Sequence, residues 1–307
     1  MSLLQIPREL RDKILSLVVL STMVTPPESP DNPGDREELK DVKCNGWFAG
    51  CGVFYQKDTQ MKGIPTLAIN QQLRSETLSI MTLLKLPGLR SYKLDVMIVE
   101  DCDLWPTWLY VPTMTTRVEE VRATFRIHGA SPRRYCGFSG GDGGPPVIVW
   151  SFYNLLERFL QVGPVSRQEK LHDKCIKIKH LVLDFQTPSV PEEMIAPDVP
   201  QNRLAILRRR SGINYIKNPS SVLAFVSGFL CYLSGCSGPG IVSVAYERVG
   251  KITLMLDGVV LHERIASNCI FPDLDAPGLE GPTHRKLEPV FEEWELRYPI
   301  EAVTDTE

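Results

Sequence analysis

Two stretches of the sequence place an apolar residue at every second position, as a β-strand with one buried face does. In the first stretch the apolar positions are Tyr92, Leu94, Val96 and Ile98, and in the second they are Val121, Ala123, Phe125 and Ile127. The opposite face of the second stretch carries Glu120, Arg122, Thr124, Arg126 and His128. The pattern predicts two strands, each with one face turned to water or to a ligand.

Four other segments repeat their apolar residues at helical spacing. The first is residues 3–20, and its apolar face is formed by Leu10, Ile14, Leu17 and Val18, with the charges opposite. Pro7 fits the first turn of this helix, where its missing N–H costs nothing. The other three helices are predicted at 65–84, 147–162 and 220–233.

Further strands are predicted at 47–55, 175–185, 241–246, 251–256 and 259–263. Asp257-Gly258 is typical of a tight hairpin turn between the last two. In 175–185 the apolar positions change parity near His180, which indicates a bulge or a strand buried on both faces. With a parallel crossover through 147–185 and an antiparallel meander at the end, the prediction is an α+β fold. It consists of a mixed β-sheet packed with about four or five helices, including the N-terminal one.

The chain divides into four parts by composition. They are an N-terminal helix (1–21), a proline- and glycine-rich loop region (22–64), an α+β body (65–272) and an acidic C-terminal tail (273–307). A single-domain body is favoured over two subdomains. The tail holds ten acidic residues against three basic ones, so it is expected to carry little packed structure.

The overall charge narrows the classes of partner. The formal net charge of −3 argues against a general nucleic-acid binder and leaves only a local basic patch for that role.

No stretch approaches the ~20 apolar residues of a membrane span, so no membrane partner is expected. Charged residues interrupt the apolar run at the N-terminus, which excludes a signal peptide and predicts a cytoplasmic or nuclear location. Eight scattered cysteines without a CxxC pair are expected to be small buried hydrophobes.

The stretch between the first two strands combines acids with tryptophans. Glu100, Asp101 and Asp103 could hold a cation, but they match no calcium loop, and a solvated loop is favoured. Trp105 and Trp108 are more often core anchors, whereas exposed they would suit a protein partner.

A second candidate is an anion pocket formed by Arg122, Arg126 and His128 with Arg133, Arg134 and Tyr135 of the following loop, because arginine pairs carboxylates and phosphates in a fork. Cross-strand salt bridges are the favoured alternative. At Gly140–Gly144 a flexible turn is favoured over a phosphate loop, since the segment lacks the lysine and is followed by two prolines. No metal ligand set and no cofactor motif is recognised.

Two motifs carry a family resemblance. The N-terminal Leu4-Gln-Ile-Pro-Arg-Glu-Leu-Arg stretch, continued by Ile14 and Leu17, resembles the opening of F-box motifs in F-box-like proteins abundant in filamentous fungi. Residues 67–77, with the sequence LAINQQLRSET, resemble the helix that follows in such proteins. The resemblance implies that the first helix docks on an adaptor of a ubiquitin-ligase complex. The residues it implicates are Ile6, Pro7, Leu10, Ile14 and Leu17. An F-box continues with two more helices, whereas 22–64 is rich in proline, glycine and charge.

Two functional hypotheses follow. The first is a non-enzymatic protein-interaction module, an F-box-like substrate adaptor of a ubiquitin ligase, with Trp105 and Trp108 as further partner-binding residues. The second is an enzyme of fungal small-molecule metabolism that carries out group transfer, including a tRNA-dependent reaction. Its pocket would be lined by Asp101, Asp103, Arg126 and His128. A concave site would favour the enzyme, and a flat face with exposed tryptophans would favour the interaction module.

Overall fold

The computed structural model describes residues 3–30, 33–38, 52–57, 63–101, 103–130, 147–164, 173–197, 211–235 and 248–265. Within these ranges the helices are α1 (Arg8–Ser21), α2 (Gln71–Leu83), α3 (Val147–Val162) and α4 (Pro219–Gly235). The strands are β1 (Arg36–Glu38), β2 (Phe54–Gln56), β3 (Ser91–Val99), β4 (Asp103–Tyr110), β5 (Arg117–His128), β6 (Lys177–Gln186), β7 (Val249–Leu256) and β8 (Val259–Ile265).

Six of these strands form one mixed sheet in the order β4-β3-β5-β6-β7-β8. The four inner strands are parallel, and β4 and β8 run antiparallel at the two edges. Helix α3 connects β5 to its parallel neighbour β6, which confirms the predicted crossover. The mixed sheet and the α+β class are also confirmed. The short strands β1 and β2 form a separate antiparallel pair, and Val53 bridges to Leu104 at the β4 edge.

Local sequence signals account for several details. Asp257 and Gly258 both adopt positive φ (50° and 78°), as a two-residue β7–β8 hairpin requires, so that prediction is confirmed. Strand β6 runs without a register shift against β5 and β7, and it is buried on both faces from Leu181 to Phe185. The parity change near His180 therefore marks a strand buried on both faces and not a bulge. The predicted strand at 241–246 and the 140–144 loop lie outside the described residues.

One face of the sheet packs against α3 and α4. Alternate residues of the inner strands join the helices in a single apolar cluster, in which Phe125 stacks on Phe185 with 4.8 Å between ring centroids. The other face bears the polar positions of the same strands, because strand side chains alternate. The sheet is therefore apolar toward the helices, whereas its opposite face, the polar face, mixes polar residues such as Asp95 and Arg126 with buried apolar ones such as Met97 and Val182.

The N-terminal helices form a separate unit beside β4. Val19 of α1 belongs to one apolar cluster with Ile64, Met81 and Tyr110, and Leu15 belongs to another with Leu73 and Ile80 of α2. The chain leaving α1 then runs along the sheet, where the Val24 amide donates to the Leu109 carbonyl at 2.8 Å. Part of the predicted polar loop, residues 22–30, is therefore a strap that connects α1 to the polar face.

The helix starts differ from the prediction by a few residues. Pro7 is the N-cap of α1 and precedes its first turn, so α1 begins at Arg8 and not at residue 3. Pro65 opens a short 3-10 helix, and α2 begins only after Asn70, whose side chain accepts a hydrogen bond from the Leu73 amide at 2.8 Å. The asparagine cap fixes the start because it satisfies an otherwise unpaired amide.

Candidate interaction surface on the first helix

Helix α1 turns the apolar face seen in its sequence away from the protein. The residues directed to the interior form an inner row at helical spacing, consisting of Arg11, Leu15 and Val19. The residues directed to solvent form an outer stripe, consisting of Leu10 (51% exposed), Ile14 (37%), Leu17 (69%) and Leu20 (45%). Three of the four residues of the face expected from periodicity, Leu10, Ile14 and Leu17, are thus exposed, whereas Val18 is half-buried. Sequence reasoning did not assign Leu20 to it.

The second half of α1 is apolar almost all round. From residue 14 to residue 20 the only polar side chain is Ser16, which donates to the Asp12 carbonyl within the helix. A helix of this composition is normally buried on all sides. The exposed fractions of the outer stripe amount to about two whole side chains, so covering them is worth roughly 3–6 kcal/mol. This uncovered area makes α1 the strongest candidate for a protein-binding surface in the described residues.

The segment before α1 belongs to the same surface. Pro7 is exposed and Ile6 is half-buried, and the two lie where the chain enters the helix. Residues Leu3–Gln5 form a short 3-10 helix whose end is tied down by the inner row, because Arg11 Nη1 donates to the Ile6 carbonyl at 2.7 Å. The five residues implicated by the F-box resemblance are therefore at least partly accessible.

A buried ion pair joins α1 to α2. Arg11 Nε and Nη2 donate to the two carboxylate oxygens of Glu76 at 2.8 and 2.7 Å, and Gln72 Nε2 donates to the same carboxylate at 3.1 Å. The hydrogen bonds from Arg11 lower the pKa of the Glu76 carboxyl, and those to Glu76 raise the pKa of Arg11. The pair unites the two sequence motifs that carry the family resemblance. The motifs were recognised from sequence, but the contact between them was not.

The four residues of the predicted enzyme pocket are only partly brought together. Asp103 and His128 lie on either side of Val99 in one row of the polar face, so about 10 Å separates their Cα atoms. Arg126 occupies the neighbouring row on the same face. Asp101 is completely buried in the β3–β4 turn with φ of 61°, so the expected solvated acidic loop is not found at this position.

Arg126 is occupied by a residue that sequence reasoning did not single out. Its Nε and Nη2 donate to the Asp95 carboxylate at 2.6 and 2.7 Å, and Nη2 also donates to the Pro27 carbonyl of the strap. This is the cross-strand salt bridge favoured over an anion pocket. The signal for it was the position of Asp95 on the polar side of β3. Burial and the charge of Arg126 lower the pKa of His128.

A second polar cluster crosses β5, β6 and β7. His180 Nε2 lies 2.8 Å from Thr253 Oγ1, and its Nδ1 lies 3.6 Å from the Glu120 carboxylate. Burial lowers the pKa of His180, and the charge of Glu120 opposes this shift. The order of hydroxyl, imidazole and carboxylate resembles a nucleophile with its base. Thr253 is 2% exposed, however, so a substrate cannot reach the hydroxyl, and the cluster serves to satisfy polar groups on the sheet.

Both tryptophans of the acid–tryptophan stretch are buried, and they lie on opposite faces of β4. Trp108 packs against Phe159 on the helix-covered face, with 5.0 Å between ring centroids. Trp105 faces the other way, where the Arg36 guanidinium lies 4.9 Å from its ring centroid. The two rings therefore anchor the core, as the commoner interpretation expects, and they offer no exposed surface to a partner.

No family model, curated protein or solved structure matches this chain. Among the residues that the structure describes, no helix is both long enough and apolar enough to cross a membrane. The same residues contain no group of three or more histidine, cysteine, aspartate and glutamate side chains arranged to hold a metal ion.

Proposed function

We propose that this protein is a non-enzymatic interaction module whose first helix docks on a ubiquitin-ligase adaptor, in the manner of F-box-like proteins. The observation that carries the proposal is the outer stripe of α1, an apolar face left open by the rest of the described protein. An exposed helix face of this kind fits a partner that contributes an apolar groove or helix surface.

The position of the outer stripe supports the proposal in two ways. Its members Leu10, Ile14 and Leu17 are the residues that the F-box resemblance implicates, although the resemblance and the exposure are independent observations. The stripe also lies on a helix held from behind by a buried ion pair and by apolar contacts. A binding helix that is already positioned loses less conformational entropy on association.

The body of the protein would then present its own surfaces to a second protein, as a substrate adaptor does. Its polar sheet face carries Glu120, Arg122, His180 and Lys251, each between about a quarter and two fifths exposed. Charged and polar groups of mixed sign favour specificity over affinity. This part of the proposal concerns a protein partner and leaves its identity open.

The enzyme hypothesis receives no comparable support. Arg126 donates through Nε and Nη2 to Asp95 and through Nη2 to the Pro27 carbonyl, and Asp101 is buried. The remaining pair, Asp103 and His128, lies on two strands separated by β3, and no hydrogen bond joins the two side chains among those described.

A binding experiment with the purified adaptor tests the proposal. The wild-type protein is expected to co-elute with the adaptor, and Leu10→Asp/Ile14→Asp is expected to remain folded by circular dichroism and to lose the interaction. Val259→Asp/Leu261→Asp is the matched control, because it places the same charges on comparably exposed apolar residues of β8. A wild-type protein that does not bind, or a stripe variant that binds as well as the control, would overturn the proposal.

A further inference from the structure

The number of apolar residues on each side of α1 does not account for the rotation of the helix about its own axis. The inner row contains two apolar residues and one arginine, whereas the outer stripe contains four apolar residues. Burial of apolar area is non-directional, and by itself it favours turning the richer face inward. The helix nevertheless turns its less apolar side toward α2, so another interaction sets the rotation.

The interaction on the inner side is directional. The Arg11 guanidinium forms a two-point fork with Glu76, and its remaining Nη1 donates to the carbonyls of Leu4 and Ile6 at 3.2 and 2.7 Å. These contacts reach α2 and the segment before α1 from one planar group. A fork of this kind has a narrow range of permitted geometries, unlike an apolar contact.

The contacts of Glu76 make the arrangement specific to one position of α1. Gln72, one turn earlier on α2, donates to the same carboxylate at 3.1 Å. Both partners of the pair are 7% exposed as whole residues, so a rotation of α1 that separated them would leave the Glu76 carboxylate without its charged partner, with only Gln72 still donating to it. A rotated α1 is therefore disfavoured as long as both charges are present.

We infer that Arg11 and Glu76 are a positioning pair that fixes the rotation of α1 and so keeps the outer stripe turned to the partner. The inference rests on the proposed function for its partner, but its structural half does not. Buried ion pairs contribute little net stability compared with apolar pairs of similar volume, and their best-attested role is to fix register. The pair also orders Ile6 and Pro7 through the backbone contacts of Arg11.

The inference separates stability from orientation. In Arg11→Met/Glu76→Met the side chains keep similar volumes but lose the directional hydrogen bonds of the fork. The two faces of α1 then compete for the same apolar surface of α2. The unfolding midpoint is expected to stay near the wild-type value. Adaptor affinity is expected to fall about ten- to hundred-fold, because the stripe and the preceding segment must be ordered on binding.

Cysteine reactivity measures the rotation without the adaptor. Leu17→Cys and Val19→Cys are prepared in the wild-type and in the Met/Met background, and alkylation at each site is followed by peptide mapping. In the wild-type background the thiol at position 17 is expected to react fast and the thiol at 19 slowly, as the 69% and 0% exposures dictate. In the Met/Met background the two rates are expected to converge or reverse.

The controls distinguish the possible failures. Arg8→Met/Glu9→Met removes the same two charge types from exposed positions of α1 and is expected to change neither reactivity nor affinity. Arg11→Lys, which keeps the charge and loses the fork, replaces the Met/Met variant if that protein does not fold. Unchanged reactivity at both positions in a folded variant would overturn the inference. Absence of adaptor binding by the wild type, with the reactivity change present, would overturn only the proposed function.

Discussion

The exposure difference between Leu15 and Leu17 yields a quantitative prediction for α1. Leu15 is fully buried between α1 and α2, so Leu15→Ala is expected to destabilise by about 2–5 kcal/mol through lost contacts and a cavity. Leu17 is 69% exposed, so truncation removes less than about 1 kcal/mol of burial. Truncating these two leucines of one helix to alanine is thus expected to lower the free energy of unfolding by amounts that differ several-fold.

The destabilisation caused by Leu15→Ala should be confined to the N-terminal unit formed by α1 and α2. Leu15 packs in a small cluster with Leu73 and Ile80 that is separate from the main core of the sheet. Its loss therefore promotes opening of α1 and α2 more than unfolding of the whole protein. Hydrogen exchange of α1 amides, followed by mass spectrometry of peptides, reports this opening directly.

The expected changes in exchange rate follow from the free energies. Each 1.4 kcal/mol is a factor of ten, so Leu15→Ala should accelerate exchange in α1 roughly 30-fold or more, and Leu17→Ala less than about five-fold. Leu83→Ala, at an exposed position of α2, is the matched negative control. Equal acceleration by the Leu15 and Leu17 variants would refute the rotation of α1 described above.

Three further predictions concern the body of the protein, and each is checked by urea denaturation. Burial raises the pKa of Glu157 to about 7, so the wild-type protein loses stability as the pH rises from about 4.5 through 7. The free energy of unfolding of Glu157→Gln should exceed that of the wild type by roughly 1–2 kcal/mol at pH 8.5 and should equal it at pH 4. An equal gain at both pH values would contradict this prediction. Arg126→Met leaves the buried carboxylate of Asp95 without its charged partner and should lower the free energy of unfolding by roughly 3 kcal/mol. Adding Asp95→Asn to the same protein should largely reverse this loss, and no reversal would exclude the ion pair as its cause. A Cβ at position 63 would lie 2.7 Å from the Pro112 carbonyl oxygen, so Gly63→Ala should cost roughly 1–3 kcal/mol, and a neutral effect would show that the two segments can separate freely.

Periodicity identified most elements of the fold because it reflects burial. Helix α3 was predicted with the bounds that it has, and the strands around Tyr92 and Phe125 carry the alternation that their position in the sheet requires. The boundaries of α1 and α2 were less well predicted, since they depend on an N-cap proline and an N-cap asparagine. Caps act on one residue and leave little trace in a periodic pattern.

The candidate site was harder to predict than the fold. The apolar stripe of α1 was visible, but periodicity shows only that a face is apolar and not whether its own protein covers it. The deciding contact joins Arg11 to Glu76 across 65 positions of sequence, and no local pattern reports it. The same reason explains why Asp95 was missed as the partner of Arg126. Pairing of charges between distant segments depends on tertiary structure.

The measurement that tests the central claim most directly is the affinity of the purified ubiquitin-ligase adaptor for the wild-type protein and for Leu17→Ser, by isothermal titration calorimetry. Covering the exposed part of Leu17 should contribute about 1–2 kcal/mol, so the variant should bind roughly 5- to 30-fold more weakly. Val259→Ser, at a similarly exposed residue of β8, should bind like the wild type. Equal affinity of all three proteins would contradict the assignment of α1 as the docking surface.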